Sequence, residues 1–158
     1  MPQWDDANLW APDWISGEIT QGGYSKHIVV REEFVLRVPG ALDLERTAPT
    51  LCAGITAYSP LCKWHVKEGS RVGVIVLGGL GHMAVKLAVA MGADVTVISR
   101  SKNKEQDAKE IGANGILAST DVDAMEKACS SFDLILYTVP VKHDVDIYTP
   151  LLDIDRRI

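Results

Sequence analysis

From Val72 onward the chain repeats one alternation of patterns. Short, continuous apolar runs are VGVIVL (72–77), DVTVIS (94–99), GILAS (115–119) and FDLILYT (132–138). Stretches with helical spacing lie between them, near 80–91, 102–111 and 121–130. Apolar runs without polar alternation predict strands buried on both faces, and helical crossovers make such strands parallel. Gly92 and Gly112 stand where helix C-caps belong, and Asp121 can cap the third helix. The expectation is an α/β fold built on a partial, doubly wound parallel sheet. A complete sheet of that kind has six strands in the order 3-2-1-4-5-6. Only four are predicted here, followed by one more helix over Asp146 to Leu152. The fourth strand would then be an open apolar edge carrying Ile135 and Leu136. Such an edge is an association hazard, so poor solubility or pairing with another chain is expected.

Before Val72 the pattern is less regular. Residues 1 to about 20 hold Trp4, Trp10 and Trp14 among Asp, Pro and Asn with no period, and read as irregular. Gly22-Gly23 opens an extended stretch, YSKHIVV, and FVLRVP follows; both read as strands. Asp43 to Trp64 has helical spacing, with Gly54 and Pro60 expected to divide it.

At 158 residues the chain can form one ordinary domain with a core. Hydrophobic residues at 47% and charged residues at 23% fit a soluble globular protein. The net charge of −5 and the absence of a basic block argue against a nucleic-acid partner. Cys52, Cys62 and Cys129 are too few and too scattered for a disulfide scaffold, which suggests a reducing, cytoplasmic setting. The acidic start MPQWDDANLWAPDW lacks the pattern of a signal peptide. Val72 to Ala93 is interrupted by Gly78-Gly79, His82 and Lys86, so it reads as strand, turn and helix rather than a membrane span.

That segment carries the main chemical signal. V-G-V-I-V-L-G-G-L-G (72–81) runs into HMAVKLAVAMG. The order strand, glycine turn, helix puts backbone N–H groups at a helix N-terminus, where a pyrophosphate can sit. In one register of G-x-G-x-x-G, Val76, Gly78 and Gly81 take the glycine positions. In another, Gly79, Gly81 and Ala84 do, but the turn then begins too late. The first register leaves a β-branched residue where the turn needs positive φ, which predicts weakened dinucleotide affinity. The plain alternative is a glycine turn that only lets helix and strand pack. After the second strand, an acidic residue would read the ribose 2′-OH of NAD. This chain instead has Ser99-Arg100-Ser101, then Lys102 and Lys104, with no carboxylate before Glu105. Hydroxyls and cations suit the 2′-phosphate of NADP; the alternative is a solvated basic loop.

The segments TQGGYSKHIVV, LCAGITAYSPL, LGGLGHMAVKLAVAMGADVTVISRSKNK and TVPVKHDVDIYTPLL together resemble zinc-dependent medium-chain alcohol dehydrogenases, most of all the cinnamyl-alcohol dehydrogenase-like branch. The resemblance covers roughly residues 19–152. It implies a Rossmann-like cofactor domain, NADP as cofactor, zinc as Lewis acid, and a small-molecule alcohol or aldehyde as substrate. By resemblance Cys52 is a catalytic residue and a ligand of that zinc. Thr56 lies beside the nicotinamide and its ribose. Gly78, Gly79, Leu80 and Gly81 form the pyrophosphate turn. Ser99, Arg100, Ser101 and Lys104 hold the 2′-phosphate, and Thr138, Val139 and Pro140 line the nicotinamide side.

The resemblance also implies a division of the chain. Residues 1–18 are an irregular segment, 19–65 a remnant of a catalytic domain with connecting helices, and 66–158 a truncated NADP-binding Rossmann domain. The family's other two zinc ligands, a Cys and a His, have no counterpart here, and a catalytic zinc needs three protein ligands. The expected reading is a fragment of an NADP-dependent alcohol/aldehyde oxidoreductase that is inactive alone. The rival is a non-catalytic nucleotide-binding or interaction module that self-associates through an open sheet edge; a truncated product without a selected role is a third. Cys62-x-x-His65 has ligand-like spacing but no second pair. Cys129 reads as a buried small hydrophobe, and His82 as a packing or loop contact.

Overall fold

The apolar runs become strands of one sheet, and each needs cover on both faces. The computed structural model describes residues 17, 27, 31–142 and 144–157. Contacts divide the chain into two units, Met1–Pro39 and Gly40–Ile158. The predicted strand YSKHIVV and the irregular N-terminal segment lie outside the described residues, apart from Gly17 and His27. In the first unit, Glu32–Phe34 forms one 3-10 turn, closed by Val35 N–H donating to the Glu32 carbonyl at 3.0 Å. FVLRVP is not a strand: Val35 to Pro39 have no regular structure, and Val35 and Leu36 are exposed. Apolar spacing alone supplies no ladder partner.

The second unit opens with α1 (Leu44–Thr47), a single turn capped by Asp43, whose carboxylate accepts from the N–H groups of Glu45 and Arg46. A 3-10 turn, Ala48–Leu51, leads to α2 (Ala53–Lys63). The break therefore falls at Cys52, and Gly54 and Pro60 do not divide the helix. Gly54 is buried, and a Cβ there would stand 3.1 Å from Thr50 Cβ and 3.6 Å from Met83 Cε. It gives close approach rather than a stop. Pro60 forgoes a bond, but fully buried Leu61 anchors the last turn beyond it.

The rest alternates: β1 (Arg71–Ile75), α3 (Gly79–Ala90), β2 (Asp94–Ser99), α4 (Glu105–Glu110), β3 (Gly115–Ala118), α5 (Val122–Lys127), β4 (Phe132–Tyr137) and β5 (Leu152–Arg157). The strand order is β3-β2-β1-β4-β5, and every pairing is parallel. This is the doubly wound arrangement expected from the runs. The register sets Val74 beside Val97 on one side and Leu136 on the other. One core packs Val72, Val74, Val95, Val97 and Leu134 under Ala84, Val85 and Ala88 of α3. The small residues let that helix lie close. A second core holds Ile75, Ile98, Ile135, Tyr148 and Leu151, with Met125 of α5 against it. Gly92 and Gly112 take positive φ, 84° and 98°, and Asp121 accepts from Ala124 N–H at 3.0 Å, as the cap reading requires.

The open edge is not where it was expected. DIDRRI continues into β5, which pairs with β4, so Ile135 and Leu136 are buried and β4 is an inner strand. The predicted helix over Asp146–Leu152 is a 3-10 helix, Asp146–Leu151, with Pro150 inside it. β5 is tied down at its start. Arg71 Nη2 donates to Asp133 Oδ1 at 2.8 Å and to Asp153 Oδ2 at 3.0 Å, so one guanidinium joins β1, β4 and β5. The Asp133 contact, then that of Asp153, holds the Arg71 guanidinium above its ordinary pKa. Among the described residues no helix is long and apolar enough to cross a membrane.

Candidate functional site

The site grows from the C-terminal ends of β1, β2 and β4. β1 ends at Ile75, and the chain then turns sharply. Val76 has φ 72°, in the left-handed region. A β-branched side chain there is an outlier, so the first fingerprint position does require the geometry that glycine supplies easily. The Val76 N–H still donates to the Ile98 carbonyl at 2.9 Å. Gly78 caps α3 with no side-chain cap, and His82 N–H donates back to the Gly78 carbonyl at 2.8 Å. The first N–H groups of a helix lack intrahelical acceptors, so the turn offers donors. A Cβ at Gly78 or Gly79 would meet nothing within 4 Å, so both face open space. A Cβ on Gly81 would run into the Val76 carbonyl. The three positions differ in what they do: Val76 makes the turn, Gly78 faces open space, and Gly81 packs against the backbone at the end of β1.

The segment after β2 is exposed at Arg100 and Ser101 and half-buried at Ser99. Its backbone is pinned to the segment after β3. Ser119 N–H donates to the Ser99 carbonyl at 2.8 Å, and Thr120 Oγ1 to the Arg100 carbonyl at 2.8 Å. The Arg100 side chain is left at the surface on a fixed backbone. Lys104 Nζ donates to the Leu77 carbonyl at 3.0 Å, so it bridges this segment to the glycine turn. An ammonium has three donors, so that bond leaves it capacity for an anion.

Thr56, Leu80 and Thr138, predicted from separate stretches, line one cleft of about 110 Å³ with Pro60 and Tyr137. Ligand pockets for drug-sized molecules run to about 300–1,000 Å³, so this cleft admits a ring-sized group and no more. Val139 is half-buried and Pro140 exposed just beyond β4. The Thr138 hydroxyl lies 2.7 Å from the Ile75 carbonyl and 3.1 Å from that of Val76. Sequence reasoning placed Thr138 at the site but missed this grip on β1, because it joins residues far apart in the chain.

Cys52 is exposed at the N-cap of α2, one turn before Thr56, whose N–H donates to its carbonyl at 3.0 Å. Among the described residues no three His, Cys, Asp or Glu converge as a metal site. Three protein ligands are needed for a catalytic zinc; the described residues therefore do not fit one. Cys62 and His65 meet through the backbone, His65 N–H to the Cys62 carbonyl at 3.0 Å. The Tyr58 hydroxyl instead donates to the Cys62 sulfur, which raises that phenol above its ordinary pKa. Cys129 is exposed rather than buried, because it sits just past the end of α5; its thiol lies 3.8 Å from the Met125 carbonyl. His82 is exposed, and its described contact is the backbone bond to Gly78.

A parallel 3-2-1-4-5 sheet, with a glycine turn at the end of its central strand and a hydroxyl- and cation-bearing segment after the next, defines a dinucleotide-binding domain of the doubly wound class. The zinc-binding dehydrogenase family profile matches residues 79–158, and the chain belongs to that family. It is 53% identical over 139 residues to the NADP-dependent alcohol dehydrogenase C of Mycobacterium bovis, covering 88% of this chain and 40% of that protein. To a probable cinnamyl alcohol dehydrogenase of Populus deltoides it is 44% identical over 162 residues, covering 100% of this chain and 45% of that protein. Among solved structures, the cinnamyl alcohol dehydrogenase of Sorghum bicolor superposes with a TM-score of 0.82 at 45% identity, covering 87% of this chain and 39% of that one. The CAD of Helicobacter pylori, complexed with NADP(H), gives 0.79 at 41% identity, covering 90% and 40%. The chain thus spans less than half the length of these relatives.

Proposed function

We propose that this polypeptide is the NADP(H)-binding part of an alcohol/aldehyde oxidoreductase. The observation that carries the proposal is a link between two open features: Lys104, whose Nζ donates to the Leu77 carbonyl at 3.0 Å, ties the exposed Arg100 and Ser101 segment after β2 to the turn with the open glycines Gly78 and Gly79 at the start of α3. On this reading the N–H groups at the start of α3 receive the pyrophosphate. Ser99, Arg100, Ser101 and Lys104 receive the 2′-phosphate, with the Arg100 fork available for bidentate contact. Thr56 and Thr138, with Val139 and Pro140 beyond, flank the nicotinamide. The cofactor, when bound, supplies or accepts a hydride. Relatives named for NADP-dependent and cinnamyl alcohol chemistry support a small alcohol or aldehyde as substrate.

Within the 158-residue polypeptide Cys52 lacks described companions for a zinc, so we infer that the chain alone does not turn over alcohols. The rival interaction module drew on β4 as an exposed edge; β5 occupies that position and is itself an edge of the sheet, so on that reading β5 would be the pairing strand. Calorimetric titration with NADPH and with NADH tests the proposal. NADPH is expected to bind at least about tenfold more tightly, a difference of about 1.4 kcal/mol from the 2′-phosphate contacts. Binding of neither cofactor, or a preference for NADH, would overturn it. Reduction of a primary aldehyde by NADPH on the purified polypeptide would overturn the inactivity.

A further inference from the structure

The strained turn at Val76 requires a restraint. A β-branched residue at φ 72° gains by relaxing toward negative φ. Its N–H is held by the Ile98 carbonyl, but that bond fixes only one side of the residue. The other restraint comes from the end of β4. The Thr138 hydroxyl reaches the carbonyls of Ile75 and Val76, at 2.7 and 3.1 Å, which are the two carbonyls flanking the Val76 torsions. Its single proton goes to Ile75 or is shared between them. The Val76 carbonyl is also the group against which Gly81 is packed. Were Val76 to relax, that carbonyl would swing, and the first turn of α3 would move with it.

We propose that Thr138 is a positioning residue. Its hydroxyl keeps Val76 in the left-handed conformation, and so holds the Gly78–Gly81 turn in the shape that receives a pyrophosphate. This rests on the reading of that turn as the NADP(H) site. A glycine at position 76 adopts positive φ without strain, so the hydroxyl is needed only while valine is there.

The test is a double-variant cycle on the full 158-residue chain: Thr138→Val, Thr138→Ser and Val76→Gly, alone and combined. In the Val76 background, Thr138→Val is expected to weaken NADPH binding about tenfold, while Thr138→Ser stays near the original affinity. In the Val76→Gly background, Thr138→Val is expected to cost less than about threefold. Equal losses in both backgrounds would mean that the hydroxyl touches the cofactor itself, and would overturn the proposal, as would no loss in either. If Thr138→Val alone fails to fold, folding of the double variant supports the proposal and its failure to fold overturns it. A second arm needs no cofactor. Amide resonances of residues 77–82 in the ligand-free protein are expected to move on Thr138→Val with valine at 76 and to stay put with glycine there; the same shift in both backgrounds overturns the proposal. Should the unsubstituted chain bind no NADPH, the site reading fails, and this arm still decides the role of Thr138.

Discussion

The two ends of β1 and β4 are held together by opposite means. At the N-terminal end, Arg71 of β1 meets Asp133 of β4 and Asp153 of β5 through charged hydrogen bonds of 2.8 and 3.0 Å. Arg71, Asp133 and Asp153 keep ordinary backbone conformations there; the left-handed residue beside them, Ser130 at φ 56°, is not β-branched. At the C-terminal end, Thr138 grips the carbonyls of Ile75 and Val76, and the residue so held is strained. One end spends interactions on joining strands; the other holds a turn open toward solvent at Gly78 and Gly79. The difference shows where stability and ligand reception part company in this fold, since strain that persists beside open backbone marks a functional end.

The contrast can be broken most forcefully at Gly81. Gly81→Ala puts a methyl group into the Val76 carbonyl, and is expected to destabilise by about 3 kcal/mol and abolish NADPH binding. Urea unfolding and calorimetry check both parts; a tolerated alanine would remove the packing role. Val76→Gly should act in the opposite sense. Relief of left-handed strain, less the added chain entropy of glycine, leaves a gain of about 1 kcal/mol with tighter NADPH binding. Unchanged affinity in that titration would count against the strain account. Arg71→Met attacks the other end. The side chain is 42% exposed, so solvent screening holds the loss to about 0.5–1 kcal/mol, shrinking further in salt, with NADPH affinity unaltered. A change in affinity would show that the two ends are coupled.

The smallest expected effect is alkaline. Burial raises the Tyr148 phenol above its ordinary value of 10.0, opposed by the Ser119 hydrogen bond. A raised folded value means that the fold prefers the neutral phenol. That contribution is intact below the unfolded value and is lost as pH rises through the folded one. Native and Tyr148→Phe proteins should therefore lose stability differently only above about pH 10. A difference that opens in acid instead would contradict the sign.

What the sequence revealed was what neighbouring residues decide. The runs at 72–77, 94–99, 115–119 and 132–138 carry their own burial pattern, and Gly92, Gly112 and Asp121 cap helices by local geometry. β5 was illegible because a charged edge strand such as DIDRRI reads like a tail, and its tie to Arg71 spans 82 positions. Gly54 looked like a break because the close approach of Met83 belongs to the folded state. At the site, the problem posed by Val76 could be read from the fingerprint. The response from Thr138 could not, since the strand order says which strands are neighbours but not which carbonyls a hydroxyl at the end of β4 reaches.

The most direct test of the account is a map of amide shifts in the labelled chain as NADPH is added. Perturbations are predicted to centre on residues 76–81 and 99–104, with the amides of Arg71, Asp133 and Asp153 unmoved. Perturbations centred on the Arg71 end, or none anywhere, would contradict it.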